Sequence, residues 1–408
     1  MVASLSLMVT GAGMGGGAGQ DVGYGTAFKD WLACACGGVG ERAARAVRAS
    51  GDDLLADVAF AATAGHVLDF DDTFVAGVVH VSAASAPAAL VLGAHLGLSL
   101  RVVLDAYAEG YEAMAAVAAA SHPVLYDAGW HPTAVCGPIG AAVAASRLLD
   151  LSVAQRDNAL AVALLRAGGT RGAFGSDGKA IQVGLAAAAG VQAAVLARAG
   201  ATVDPRAIHG PLGFEGVLGA RWPQVGAGGA LDGNSAPGID GNWIKMYPSC
   251  LATHSPIEAA ALVREGGYRL GPDRLSIVVH PRARQAAYLD MVTDGTSAKF
   301  SIPYCVAHTL IHGPPHVHDF ASIDAGARDG SRLVSVAVDG SLPEFGAVLI
   351  VPGCEPARVS CPRGAPERPI AAAELAGKVA GLAGDRLDGV LEDLRAPAAT
   401  ALHAAGLH

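Results

Sequence analysis

The sequence predicts a mostly α-helical protein, with a large all-helical domain and a smaller α+β domain. Three observations carry this. Between about residues 25 and 264, apolar residues recur every three or four positions. After Gly266 the texture changes to short runs rich in Val and Ile. Apolar residues make up 52% of the chain but aromatics only 5%, and Gly totals 54. The core must therefore close through Ala, Val, Leu and Gly, which suits helices packed at short distance.

The elements follow in order. GAGMGGGA (11–18) contains a formal Gly-x-Gly-x-x-Gly, at Gly11, Gly13 and Gly16. A dinucleotide turn needs a helix directly behind it, and the glycine-rich GQDVGYG argues against one, so residues 1–24 read as a flexible lead-in. Helical spacing then runs through FKDWLACACG, ERAARAVRAS, DDLLADVAFAATAG, APAALVLGAHLG, RVVLDAYAEGYEAMAAVAAA, VAQRDNALAVALLRAG and IQVGLAAAAGVQAAVLARAG. These form an all-helical domain over 25–265. Strands are expected at 275–280, 332–339, 347–352 and 357–361, with helices at 282–290, 303–312, 371–383 and 386–394. That is an α+β domain over 266–394. The tail, 395–408, reads helical and is expected to return to the first domain.

Composition excludes several functions. The net charge is −9 and no basic run exists, so nucleic acid is not a partner. Mean hydropathy is +0.38, yet His80 and His95 interrupt the apolar run 75–100, and Gln192 and Arg198 interrupt 183–200. No membrane partner is expected. MVASLSLMVT lacks the basic residues of a signal peptide. Seven scattered cysteines without Cys-x-x-Cys read as reduced thiols of a cytoplasmic protein. Only five of the 28 cationic residues are lysine: Lys29, Lys179, Lys245, Lys299 and Lys378. These positions point to places where a compact ammonium is needed.

The chemistry-bearing stretch is GHVLDFDDT (65–73), with Asp69, Asp71, Asp72 and Thr73 in five positions. An Asp-x-Asp-x-Thr phosphatase loop needs a buried strand before it, and the preceding residues have helical spacing. An acid cluster that protonates an alkene needs aromatic faces to hold the cation, and aromatics are scarce. Asp71 and Asp72 could simply cap a solvated helix end. Asp69 and Thr73 belong to a wider set. His80, His131 (before Pro132), Lys179 and His254 (before SPIE, a capping-box pattern) all stand at expected helix starts. Helix N-termini offer free N–H groups and partial positive charge. Converging, such groups suit removal of a proton next to a carboxylate, which needs a base near neutral pKa and concentrated positive charge. Tyr304 in KFSIPY could exchange a proton with a leaving group. A rival cluster, His308, His312, His316, His318 and Asp319, could form a zinc site for a hydrolase; it lacks a His-Glu-x-x-His base.

GHVLDFDDT with His80, GWHPTAVCGPIGAA, GGTRGAFGSDGKAIQVGLAAAAGV, IKMYPSCLATHSPIEAA and AKFSIPYCVAHTL together resemble the MmgE/PrpD family, over most of 55–312. The resemblance implies a helical domain under an α+β lid, a homodimer, and lyase or isomerase chemistry on a small polycarboxylate without metal or organic cofactor. Dehydration of the 2-methylcitrate type is the first expectation. Decarboxylation of cis-aconitate, epimerisation of iminodisuccinate and a non-catalytic carboxylate-binding role are alternatives. Carried over by motif, Asp69 and Thr73 line the pocket and His80 and His131 supply acid and base. Lys179 and Lys245 hold carboxylates, Tyr304 reaches in from the lid, and His254 also matches. The chain departs from the family at His80-Val81, where His-Pro is usual, and at GSDGKAIQ around Lys179.

Overall fold

The structure is a computed structural model and describes residues 18–223 and 237–408. The expected flexible lead-in falls largely outside these residues. Its last part is corrected: Ala18–Gly38 is one helix, α1, so GQDVGYG is helical despite its glycines.

The first body is helical. After α1 come α2 (Leu54–Val67), α3 (Ser82–His95), α4 (Leu100–Ser121), α5 (Pro132–Leu148), α6 (Val153–Leu164) and α7 (Gly178–Arg198). Asp53 caps α2 by accepting from the Ala56 N–H, and Pro132 opens α5 at a position where no N–H is needed. The small-residue core brings backbones close. A side chain at Gly110 on α4 would meet the Gly140 carbonyl of α5 at 2.5 Å, and one at Gly184 on α7 would meet the Ala59 carbonyl of α2 at 2.6 Å. One described helix, α7, is long and apolar enough to cross a membrane. Most of it is buried, against α2, α5 and α6.

The second body holds a four-stranded sheet of order β4-β3-β5-β6, with β3 Leu275–Val279, β4 Val334–Val338, β5 Ala347–Ile350 and β6 Ala357–Val359. β3 runs parallel to β4 and antiparallel to β5, which pairs antiparallel with β6. Leu275, Ile277 and Val279 alternate inward, as a half-buried strand should. Helices α8 (His254–Glu265), α9 (Pro281–Ala286) and α10 (Ile302–His312) complete this body. Thus α8, assigned from sequence to the helical domain, shares its buried face (Ala259, Ala260, Val263) with the sheet. The helix expected at 386–394 is a single 3-10 turn, Gly384–Leu387, because Gly384 and Gly389 both take positive φ. Helices α11 (Ala372–Ala383) and α12 (Ala398–Ala404) pack on α1 and α3 of the first body. SPIE forms no capping box. The Ser255 hydroxyl donates to the Phe345 carbonyl, and Glu258 accepts from Arg368 and the Arg363 N–H.

Candidate active site

The site starts where α2 ends. Beyond Val67 the chain turns sharply, with Asp69 left-handed at φ 53°; Asp tolerates this region better than most residues. Thr73–Phe74 (β1) then pairs antiparallel with Asn242–Trp243 (β2), Thr73 opposite Trp243. That short pairing carries Lys245 to the turn. Its ammonium donates to the Asp69 carbonyl at 3.0 Å and to Asp69 Oδ1 at 2.7 Å. Lys179, in the first turn of α7, donates to the same Oδ1 at 2.8 Å. Two further lysines hold the loop from outside. Lys299 donates to the Leu68 carbonyl (2.7 Å) and the Val67 carbonyl (3.5 Å). Lys378, on α11, donates to the carbonyls of Phe70 (2.7 Å) and Lys245 (3.0 Å) and lies 2.6 Å from buried Asp30. Four of the five lysines therefore close on residues 67–70. A rigid guanidinium fork does not suit these cages as a compact ammonium does.

All of these groups are buried. Burial works against the charge of Asp69, but Lys179, Lys245 and His80 outweigh it and hold its carboxyl well below the usual range. Burial likewise works against Lys245, and Asp69 and Asp71 outweigh it and raise its pKa. For Lys299 burial outweighs the pull of Asp69 and Glu41 and brings it down to about 8.

Asp71 and Asp72 are fully buried, so the reading of them as solvated caps is corrected. Asp71 Oδ2 lies 2.9 Å from His66 Nδ1 and 3.2 Å from His80 Nδ1. Asp72 accepts from Ser82 (2.6 Å) and Asn242 (2.8 Å). Burial pushes its carboxyl up to about 8, with Asp30 and Asp71 adding to the rise. His80 reaches this cluster through Val78, a β-branched residue at φ 51°. Left-handed backbone there is strained and is held by its surroundings. The rings of His66 and His80 meet edge to face at 4.5 Å, and His66 stacks on His131 at 6.1 Å. Burial brings His80 down to about 4 and His131 well below its ordinary value, so both imidazoles are neutral at neutral pH.

These side chains line one cavity of about 750 Å3, its open mouth included. Asp69, Thr73, His80, His131, Lys179 and Lys245 form its polar floor. Phe174 and Phe300 wall it apolar and sit 5.6 and 5.4 Å from the Lys179 ammonium. At the mouth, Arg282 on α9 donates to His122 Nε2 at 2.8 Å and stands 3.9 Å from Glu344. Arg171 ties the two bodies together by donating to the carbonyls of Tyr126 and Gln285.

Six of the eight residues singled out from sequence meet in this cavity, and two do not. Tyr304 does not line it: its hydroxyl accepts from the Asp324 N–H, on the far side of α10. His254 is fully buried beside Tyr247, with Nε2 3.3 Å from the Ser249 carbonyl. Sequence reasoning missed His66, Gln182, Arg282 and Glu344. Gln182 carried one signal, its position one helical turn beyond Lys179.

The proposed zinc cluster does not assemble. His308 and His318 both approach Asp319 (3.8 and 3.5 Å) and His312 pairs with Asp324 (3.4 Å), but their ligand atoms do not close on one point. Among the described residues, His66, Asp71 and His80 are the set whose ligand atoms come close enough to hold a metal. Both Nδ1 atoms face acceptors, Asp71 Oδ2 and, for His80, the Asp72 carbonyl at 2.8 Å. Each Nδ1 therefore carries a proton and serves Asp71 or the Asp72 carbonyl, and only the Nε2 lone pairs remain.

Fold and site together define a mostly helical protein whose interdomain pocket concentrates neutral imidazole and ammonium groups around one carboxylate. Residues 25–223 match the MmgE/PrpD N-terminal domain. Over this stretch the chain belongs to the MmgE/PrpD family. Among curated proteins it is similar to cis-aconitate decarboxylase of Homo sapiens, 29% identical over 216 residues, and of Mus musculus, 30% over 217. Each match covers 49% of this chain and 42% of the relative, so it spans less than half the relative's length.

Proposed function

We propose that the protein is a lyase acting on a small polycarboxylate, moving a proton at a carbon next to a carboxylate. The observation that carries this is the pair of buried ammonium groups, Lys179 and Lys245, on one carboxylate oxygen of Asp69 beside two neutral imidazoles. Negative charge developing on a carbon next to a carboxylate is stabilised by such fixed cations in a site shielded from water. A neutral imidazole supplies the base. Every group this chemistry needs is a side chain of this chain.

Decarboxylation of cis-aconitate heads the candidates, because the two relatives reported above carry that name. Dehydration of 2-methylcitrate and epimerisation of iminodisuccinate make the same demand on the site. Arg282 at the mouth has a guanidinium fork, one nitrogen of which serves His122, that can receive a second carboxylate. A homodimer is proposed with the outer stripe of α7 as its contact: Leu185 and Leu196 are exposed on one face, 55% and 43%. The test is to assay the purified protein on cis-aconitate, 2-methylcitrate and iminodisuccinate. Turnover of one of them, lost in Lys179→Ala, supports the proposal. Thermal stabilisation by these acids without turnover would make the protein a carboxylate-binding member instead.

A further inference from the structure

The two cavity histidines do not have interchangeable partners. His131 Nδ1 lies 2.6 Å from Gln182 Nε2. The orientation of that amide is set by Thr170: its N–H donates to Gln182 Oε1 at 3.0 Å, and its carbonyl accepts from Gln182 Nε2 at 3.3 Å. The amide nitrogen can only donate, so His131 Nδ1 is an acceptor and the ring proton sits on Nε2. At His80 the arrangement is reversed. Nδ1 faces two acceptors, the Asp72 carbonyl at 2.8 Å and Asp71 Oδ2 at 3.2 Å, so the proton sits on Nδ1. His80 Nε2 keeps a lone pair; its 3.9 Å separation from Asp69 Oδ1 is too long for a hydrogen bond.

We infer that His80 is the base and His131 a neutral hydrogen-bond donor, and that Gln182 is the positioning residue that enforces the difference. This rests on the acid–base reading above and assigns its roles. In the step, the carbon–hydrogen bond next to the carboxylate breaks and the proton goes to His80 Nε2. The electron pair stays on the substrate as an enediolate, held by Lys179 and Lys245. His131 Nε2–H donates a hydrogen bond to it without surrendering its proton, as a neutral imidazole can. In dehydration the His80 imidazolium then returns its proton to the departing hydroxyl, which leaves as water. In decarboxylation CO2 leaves instead of a proton, its electron pair forms the same enediolate, and His80, protonated from solvent, delivers the proton to carbon.

The test reads tautomers directly, without substrate. The protein labelled with 15N-histidine is recorded by multiple-bond proton–nitrogen correlation at pH 7.5, with His131→Asn assigning the resonance. The expected spectrum shows His131 protonated on Nε2 and His80 on Nδ1. In Gln182→Glu the carboxylate demands a donor, so the His131 pattern should move to Nδ1–H or to the imidazolium. On whichever acid turns over, kcat should fall about a hundredfold with KM little changed. Gln182→Met, which only removes the amide, should give mixed tautomers and a smaller loss. A wild-type His131 already protonated on Nδ1, or a Gln182→Glu protein with the wild-type tautomer and kcat, overturns the inference. The first of these leaves the polycarboxylate reading standing. The expected tautomers with no turnover on any of the acids overturn that reading instead.

Discussion

Two groups of histidines look alike in the sequence and are unlike in the structure. His308, His312, His316 and His318 lie within eleven residues; His66, His80 and His131 are spread over 66. The compact group divides between two carboxylates at the edge of its helix, His308 and His318 at Asp319 and His312 at Asp324, and it lines no part of the cavity. The scattered group meets in one buried cluster around Asp71 and beside Asp69. Density along a chain reflects one helix and one loop. Convergence of α2, the His80 turn, α5 and α7 is what concentrates imidazole and ammonium groups where water is excluded.

The comparison can be broken most severely by turnover. His80→Gln should cost about a thousandfold or more in kcat on the acid that is processed, while His308→Gln, His312→Gln and His318→Gln should leave kcat within about twofold. An effect of equal size at His308 would erase the distinction.

The next largest effect is on stability. Lys378→Met leaves Asp30, wholly buried, without its cation. It also frees the Phe70 carbonyl from the loop. Breaking a buried pair in this way should lower unfolding free energy by on the order of 3 kcal/mol, read from urea denaturation. Asp71→Asn should follow, with kcat down about tenfold to a hundredfold, as for an outer partner that orients a functional imidazole. Asp319→Asn, beside His308 and His318, should leave kcat unchanged in the same assay.

Acid provides a graded contrast. Burial lowers the pKa of His66, His80, His131 and His254, to about 4 for His80 and about 3 for His254. In the unfolded chain these rings take up protons near 6.5, so between about 6.5 and 4 the unfolded state binds more protons and stability falls as pH falls. Asp30, Asp72, Glu109 and Glu112, raised by burial, act in the opposite sense. With His122 and His308, which burial also lowers, the imidazoles outnumber them. The urea midpoint should therefore drop steadily from pH 6.5 to 4, and His254→Asn should flatten the slope if it folds. The smallest expected effect is that of a chelator: prolonged dialysis against EDTA should leave both turnover and the urea midpoint unchanged.

Much of the scaffold was legible because helical spacing and strand alternation are local signals. The four strands of the sheet fall inside their expected ranges, and Pro132 opens its helix where the sequence put it. The scarcity of lysine was the better guide to the site, since four of the five converge on one loop. What stayed hidden depends on tertiary placement. Tyr304 is on the helix expected but on its far side, held by Asp324. Glycines at 384 and 389 stop a helix that apolar spacing alone extends. Gln182 and His66 have meaning only once His131 and Asp71 stand beside them.

The most direct measurement of the central claim is solvent deuterium entry. The protein is incubated in deuterium oxide with each of the three acids, and deuterium at the carbon next to a carboxylate is counted by mass spectrometry. The account predicts incorporation with at least one acid, abolished in His80→Gln and Lys179→Ala and intact in His308→Gln. Bound acid that exchanges no hydrogen, or exchange that survives His80→Gln unchanged, would contradict it.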